Sequence, residues 1–309
     1  MTDLTTIGEI LIDLTQTGVS QNGICSFAAN PGGAPANVAV AAARLGASTA
    51  FLGKVGRDNF GSILRDTLVK NQVDVSGLLE DAAPTTLAVV SVDKRGERSF
   101  SFLRGADCAL APEEVNITQI ERSKILHFGS VSLTAGPSRS ATLFAAQHAH
   151  EKGVLVSYDP NYRPALWGDA QSAIEQMKQP LVLTDVLKVS DEELPLLTGT
   201  PDLTEGSRLL ADLGISLVLV TLGAEGVFYR MREQTGRLSG VPVKVADTNG
   251  AGDTFLGAVL SRLCRRTSPL TGLCVEELED ILRFANRAAA LTCSRSGAIP
   301  AMPALSELE

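Results

Sequence analysis

Short apolar, β-branched runs alternate with helical patterns after residue 120, and this alternation limits the fold of the 309-residue chain most strongly. Strands are predicted at residues 124–128, 153–159, 182–190 and 216–221. The segments between them have the apolar spacing of helices, which are predicted to end at Gly153, Gly199 and Gly214. This order is typical of an α/β fold, in which helices cover a mostly parallel sheet. Ligands of such sheets bind at the carboxyl ends of the strands.

The first third of the chain has a different pattern. Around residues 11–33 and 85–106, hydrophobic residues alternate with polar ones as in half-exposed strands, and a turn is predicted at residues 94–96. The two segments are far apart in sequence, so they are unlike an independent domain. We predict that they join as a small β-sheet lid on the α/β body.

Composition excludes several classes of partner. The formal net charge is −8, and the Lys/Arg clusters are too short for a nucleic-acid or anionic membrane surface. The five cysteines are scattered and form no C-x-x-C pair, which predicts free thiols in a reducing compartment. The first residues lack the pattern of a signal peptide, and no apolar run reaches the ~20 residues that span a bilayer. These features predict a cytoplasmic protein.

The run VADTNGAGDTFLGAVL, at residues 245–260, combines a glycine-rich turn with the start of an apolar helix. The first N–H groups of a helix have no intrahelical acceptor, and together with the helix dipole they form an anion site. Gly252 would let a ligand approach the backbone closely. Asp253 could accept a proton from a hydroxyl that attacks a phosphoryl group held there. It could equally be a favourable acid at a helix start, at about 0.3–1 kcal/mol, and the local sequence leaves both interpretations open.

Other nucleotide and hydrolase signatures are absent from the sequence. No G-x-G-x-x-G follows the first predicted strand, no Walker P-loop occurs, and no G-x-S-x-G elbow is present. The glycine-rich turn therefore needs a different explanation.

The run DTNGAGDTFLGA strongly resembles the C-terminal signature of the ribokinase-like (PfkB-type) carbohydrate kinases. NPGGAPANVAVAAARLG, at residues 30–46, resembles their N-terminal glycine signature. Five further runs follow in the order of the family and extend the resemblance over nearly the whole chain: GKVGRDNFG, DPNYRPALW, KVSDEELPLLTG, TLGAEG and GAIPAMP. DPNYRPALW and KVSDEEL are most similar to bacterial fructokinases.

The resemblance implies one ribokinase-like domain over residues 1–309, with a three-layer α/β fold and the β-sheet lid. It implies an ATP-dependent sugar kinase that phosphorylates a primary hydroxyl, with D-fructose as the expected acceptor and fructose 6-phosphate as product. The open alternatives are a 2-keto-3-deoxygluconate kinase, an aminoimidazole-riboside kinase, a ribokinase, or a sugar-binding regulator without turnover. ATP and Mg²⁺ are the implied cofactors, K⁺ is a further one, and a homodimer through the lid is implied.

Residue roles follow from the same resemblance. Asp253 becomes the catalytic base, and Gly250, Ala251 and Gly252 become the anion hole. The residues that match the sugar site are Asp13, Gly32, Gly33, Asn37, Arg104 and Arg163. Those that match the nucleotide site are Lys188, Ser190, Glu193, Thr221, Gly223, Gly226, Gly252 and Asn286.

Two groups of residues match metal sites of the family. Glu193 belongs to an N-x-x-E motif whose acid orders Mg²⁺ through water, which suits an ion that keeps several waters. Ser190 replaces the Asn of that motif, so a Ser hydroxyl would have to make the phosphate contact. The positions that match a K⁺ site, mostly through backbone carbonyls, are Asp247, Asn249, Thr292, Arg295, Gly297 and Ala301.

Overall fold

The computed structural model describes residues 2–92 and 98–309, and two β-sheets are formed within these ranges. The strands are β1 (Thr2–Ile7), β2 (Leu11–Val19), β3 (Cys25–Gly32), β4 (Thr49–Gly56), β5 (Val73–Asp81), β6 (Leu87–Val92), β7 (Arg98–Leu103), β8 (Ser123–Gly129), β9 (Leu155–Asp159), β10 (Val186–Ser190), β11 (Leu217–Thr221), β12 (Val227–Met231) and β13 (Gln234–Leu238). The helices are α1 (Ala34–Arg44), α2 (Asn59–Lys70), α3 (Ile117–Glu121), α4 (Ser138–Glu151), α5 (Ala170–Lys178), α6 (Leu194–Thr198), α7 (Leu203–Ala211), α8 (Ala251–Cys264) and α9 (Val275–Cys293).

The large sheet has the strand order β13-β12-β11-β10-β9-β8-β1-β4-β5 in the described part of the chain. Neighbours from β11 to β5 are parallel, and β12 and β13 form an antiparallel edge. The predicted α/β fold is confirmed, and the four predicted strands correspond to β8–β11. The strand predicted at residues 182–190 begins later, at Val186, because Gln179–Leu183 forms a 3-10 turn that contains Pro180.

Helices cover both faces of the large sheet, which explains why its central strands are apolar without alternation. In β11, Val218 and Val220 pack into the core that contains α4 and α7 residues. Leu217 and Leu219 point to the opposite face and pack with residues of α8 and α9. Successive side chains of one strand thus serve two cores, and the molecule has three layers.

The small sheet has the order β3-β2-β6-β7, and its strands lie within residues 11–33 and 85–106. Strands β2 and β6 pair in parallel, from Ile12 opposite Leu87 onwards, and join the two distant segments. The turn predicted at residues 94–96 lies outside the described residues. Among the described residues, this sheet and the turn between β2 and β3 expose the large apolar side chains of Val19, Ile24, Phe27 and Leu103.

Within residues 2–92 and 98–309, no helix is both long enough and apolar enough to cross a bilayer.

Helices α1 and α8 pack closely at Gly257. A methyl group at this position would lie 2.7 Å from the Ala41 Cβ and 3.0 Å from the Val38 carbonyl oxygen. The absence of a side chain allows the two helices to approach, and it positions the first turn of α8 beside α1.

We expect Gly257→Val to lower the free energy of unfolding by about 1–3 kcal/mol or more, because overpacking forces the backbones apart. Urea unfolding checks this. Gly168→Val is the matched control, since a Cβ at Gly168 meets nothing within 4 Å. Equal losses in the two variants would contradict the close packing of α1 and α8.

Candidate active site

Asp253 lies in the first turn of α8, and among the described residues its side chain accepts from two side-chain amides and not from the helix backbone. Its carboxylate is directed outwards from the helix axis towards two amides. Asn37 Nδ2 donates to Asp253 Oδ2 at 2.8 Å, and Asn161 Nδ2 donates to Oδ1 at 3.3 Å. Only 8% of Asp253 is exposed. Burial raises the pKa of the Asp253 carboxyl, while the Asn37 hydrogen bond and the charges of Lys188 and Arg163 oppose the rise.

The turn before α8 leaves backbone N–H groups available. Gly250 adopts φ 75°, in the left-handed region that favours glycine. Ala251 N–H donates weakly to Thr248 O at 3.3 Å, and Thr254 N–H donates to Gly250 O at 2.8 Å. Within the part of the chain that the structure describes, the amides of Gly250 and Gly252 meet no acceptor. The helix therefore begins with free donors at its positive end, as an anion site requires.

A small cavity of about 140 Å³ opens on one side of this turn. Asp253, Gly250 and Asn249 line it from the turn, and four other predicted positions line it as well: Asp13, Gly33, Asn37 and Arg163. The Asp13 carboxylate lies against Gly32, where a Cβ would be 2.2 Å from Asp13 Oδ2. The structure thus brings most of the predicted sugar site together.

The charges of the small cavity are mainly negative. Burial raises the pKa of Asp13 to about 6, while Arg163 lowers it and Asp253 raises it further. Asn37 Oδ1 is buried without a hydrogen-bond partner in the described chain. These acceptors suit a ligand rich in hydroxyl donors.

Arg104 does not line the small cavity, although it is predicted to reach the sugar. Its guanidinium binds Asp107 Oδ2 through Nε at 2.9 Å and Nη2 at 2.6 Å, and Thr134 Oγ1 through Nη1 at 2.8 Å. Asp107 is buried, and a charge-assisted pair with both guanidinium nitrogens holds the arginine strongly. In this conformation Arg104 ties the end of β7 to the segment after β8.

Glu9 lines the small cavity and was not identified from the sequence. It is 2% exposed; its Oε1 accepts from Ala34 N–H at 3.1 Å, and its Oε2 has no partner among the described residues. Burial raises the pKa of the Glu9 carboxyl to about 7. The signal available in the sequence was an acid just after the apolar run of β1. Whether that side chain is buried depends on how β2 and α1 pack over it.

A larger cavity, of about 550 Å³, lies on the other side of the turn. The predicted nucleotide residues that line it are Thr221, Gly223, Gly226, Gly252 and Asn286. Its other walls are mainly apolar, with Val241, Pro242, Val243, Phe255 and Ala289. Asn286 Nδ2 donates to Ser239 O at 3.0 Å, which fixes its amide at the wall of the cavity.

The same short segment borders both cavities. Asn249, Gly250 and Asp253 line the small cavity, while Thr248, Ala251 and Gly252 line the large one. The free amides and the buried carboxylate therefore lie at the boundary between two binding spaces. A group bound in one cavity can react there with a group bound in the other.

Ser190 and Glu193 lie outside the lining of both cavities. Ser190 N–H donates to Glu193 Oε2 at 2.8 Å, and Glu193 N–H donates to Ser190 Oγ at 3.2 Å, as in a capping box. Glu193 Oε1 accepts from Tyr162 N–H at 2.6 Å. The Ser190 hydroxyl therefore binds the backbone of Glu193 and does not line the predicted phosphate site, and Glu193 ties the end of β10 to the loop after β9.

The predicted K⁺ positions are only partly together. Asp247 Oδ1 accepts from Asn249 N–H at 3.1 Å, and Oδ2 accepts from Gly297 N–H at 3.0 Å. The Thr292 hydroxyl donates to Thr254 Oγ1 at 3.0 Å. The Arg295 side chain pairs with Glu307, and Ala301 is buried. Among the residues described, no cluster of three or more His, Cys, Asp or Glu could hold a metal ion, so a cation here would depend on carbonyl oxygens.

Comparisons with known proteins identify the family of the chain. Residues 1–305 match the model of the pfkB family of carbohydrate kinases. A probable fructokinase-2 from Arabidopsis thaliana is 43% identical over 302 residues, covering 96% of this chain and 91% of the relative. A crystal structure of fructokinase with bound ATP from Xylella fastidiosa has a TM-score of 0.92 and 34% identity, covering 100% of this chain and 97% of that one. A double-mutant fructokinase from Vibrio cholerae with fructose, ADP and potassium ion has a TM-score of 0.89 and 37% identity, covering 99% and 97%.

Glu9→Gln tests the buried carboxyl. As the pH rises from about 4.5 to about 7, the Glu9 carboxyl ionises in the unfolded chain but stays protonated in the folded protein. The wild type therefore loses stability across this window, and Gln, which does not ionise, loses none from this position. Between pH 5 and pH 8, we expect the free energy of unfolding of Glu9→Gln to rise relative to wild type by about 1–3 kcal/mol.

Urea unfolding at the two pH values measures this change. Glu233→Gln is the control, because Glu233 is an exposed carboxylate. The same pH dependence in both variants would contradict a protonated, buried Glu9.

Proposed function

The chain belongs to the PfkB family of carbohydrate kinases, and on that premise we propose that it is an ATP-dependent fructokinase. The enzyme transfers the γ-phosphate of ATP to the O6 hydroxyl of D-fructose and releases ADP and fructose 6-phosphate. Relatives named fructokinase, at 43% identity over 96% of this chain, support this substrate. So does the Vibrio cholerae fructokinase with bound fructose and ADP.

The observation that carries the proposal is the shared wall of the two cavities at residues 248–253. ATP occupies the large cavity, with its base against the apolar wall and its phosphates towards Gly252. The sugar occupies the small cavity, with the reacting hydroxyl beside Asp253. The γ-phosphate then crosses at the turn, where the free amides stabilise the charge on its oxygens.

Asp253 acts as the general base in this scheme. Its buried carboxylate is held by Asn37 and Asn161 and accepts the proton of the attacking hydroxyl. Burial raises its pKa and thereby makes it a stronger base than an exposed carboxylate. A sugar-binding regulator has no need of such a group.

The charges of the small cavity favour a neutral sugar over a sugar acid. Asp13 and Asp253 line it, and Arg163 is the cation that faces them among the described lining residues. The carboxylate of 2-keto-3-deoxygluconate would meet like charges there, and like-charge contacts are a common means of rejecting a ligand. Fructose supplies only hydroxyl donors and acceptors, which Asp13 and Asn37 can bind.

Mg²⁺ is proposed as the metal ion that accompanies ATP, where it neutralises charge on the phosphates. Both oxygens of Glu193 already accept a backbone N–H, so this residue fits the ion through a bound water and not by direct ligation. K⁺ is proposed near Asp247, Asn249 and Gly297, as a structural ion beside the turn. The potassium ion in the related Vibrio cholerae fructokinase supports its inclusion.

A homodimer through the small sheet and a cytoplasmic location complete the proposal. Val19, Ile24, Phe27 and Leu103 expose apolar area on the small sheet, which acts as a lid over the small cavity. All five cysteines are free, as expected in a reducing compartment.

We expect sedimentation analysis to find a dimer that Ile24→Glu dissociates, whereas the exposed Val182→Glu leaves it intact. A wild-type monomer would refute the dimer.

The function is tested by ADP release with ATP and Mg²⁺ over a panel of fructose, 2-keto-3-deoxygluconate, aminoimidazole riboside and ribose. We expect the highest kcat/KM with fructose. Asp253→Asn, run in parallel, should keep the fold and sugar binding and lower kcat by at least about 10²-fold, because the base is removed.

Three results would contradict parts of this proposal. Preference for another acceptor would refute fructose, and near-normal turnover of Asp253→Asn would refute the base. Tight sugar binding without ADP release from any acceptor would indicate a regulator.

A further inference from the structure

Lys188, which matches the nucleotide site of the family, is a buried cation. Its side chain leaves β10 on the face towards α8, and a Cβ on Gly252 would lie only 3.3 Å from Lys188 Nζ. The ammonium therefore contacts the first turn of α8, at the positive end of the helix dipole. A cation is disfavoured there, whereas an anion is stabilised. The Lys188 ammonium is therefore stable at this position only if nearby negative charges compensate its charge.

Asp159 supplies the closest compensating charge. It ends β9, is 1% exposed, and its Oδ2 accepts from Lys188 Nζ at 2.9 Å. Glu193 and Asp253 also face the ammonium, at longer range, and raise the pKa of Lys188 against the effect of its burial. Lys188 thus stays charged, and Asp159 decides where its ammonium lies.

A second hydrogen bond connects Asp159 to the base. Its Oδ1 accepts from Asn161 N–H at 3.1 Å and holds Asn161 at φ 46°, an uncommon backbone conformation for a non-glycine residue. Asn161 Nδ2 in turn donates to Asp253 Oδ1 at 3.3 Å. One buried carboxylate therefore touches both the cation at the turn and the loop that contacts the base.

We propose that Asp159 is a positioning residue for phosphoryl transfer, which holds the Lys188 ammonium against Gly252 so that it contacts the γ-phosphate of ATP. This rests on the proposed function for the identity of the phosphate. Without Asp159, the ammonium would be free to turn towards Asp253 and pair with the base. Asp159 thus keeps the cation and the base of the same site apart.

The pair is tested with Lys188→Met, Asp159→Asn and the double variant. Methionine has nearly the length of lysine without the charge, and asparagine can still accept from Asn161 N–H. We expect each single variant to lower kcat by about 10²-fold or more, and the double variant to lie within about 3-fold of Lys188→Met, because Asp159 acts through Lys188. If the fold-losses in kcat of the two single variants multiply in the double variant, the proposal is overturned, because independent contributions add in free energy.

Nucleotide affinity gives a readout that a general structural role would not move. By titration calorimetry without sugar, Lys188→Met should bind ATP at least about 10-fold more weakly and bind ADP within about 3-fold of wild type, because only ATP carries the γ-phosphate. Equal losses for ATP and ADP, or no loss for either, would overturn the proposal. This comparison holds even if Asp159→Asn fails to fold.

Asp185→Asn is the matched control. Asp185 is a half-buried carboxylate at the opposite end of the same strands, where it accepts from Val156 N–H at 2.8 Å. It should leave the ratio of ATP to ADP affinity unchanged, and a changed ratio would overturn the assignment to the Lys188–Asp159 pair. If wild type releases no ADP with any sugar, the fructokinase proposal fails, whereas the affinity ratio of Lys188→Met still decides the role of Lys188.

Discussion

The close contact of α1 and α8 is the constraint on which the candidate site depends. Gly257 leaves no side chain between the helices, so α8 lies directly against Val38 and Ala41. One turn earlier in α8, this proximity brings Asp253 within hydrogen-bond distance of Asn37 on α1. The glycine signature at residues 30–46 and the one at residues 245–260 are thus two sides of a single packing interface. The packing of two apolar helices thus orients the carboxylate that we propose as the base.

Buried charge is the second organising feature. Asp159, Lys188 and Asp253 are each almost fully buried near the carboxyl ends of the parallel strands. Burying isolated charges is costly, whereas a paired and hydrogen-bonded cluster is tolerated. Lys188 is surrounded by acids and lies at the positive end of a helix. These acids compensate the charge of Lys188, and the free amides of the turn remain available to an anion. The proposed transfer of a phosphoryl group uses these amides.

The outcome for individual residues shows where sequence patterns were sufficient. Strands β8–β11 followed from apolar runs bounded by helical segments, because a buried parallel strand must be apolar on both faces. Asp13, Asn37 and Arg163 were predicted by resemblance, and the structure brings them to one cavity. Arg104 was predicted to reach the sugar, but Asp107, three residues along the chain, holds its guanidinium. Competition between a nearby partner and a distant ligand cannot be judged from a motif.

Local periodicity and glycine were enough to predict the α/β class, the order of the strands along the chain, and a turn suited to an anion. Tertiary packing was needed to show that Asp253 faces Asn37 and Asn161 instead of capping its helix. It also decided that Glu9 is buried beside the cavity and that Asp159 pairs with Lys188, 29 positions away. The physical reason is that burial and charge pairing depend on segments far apart in the chain, which no local pattern encodes.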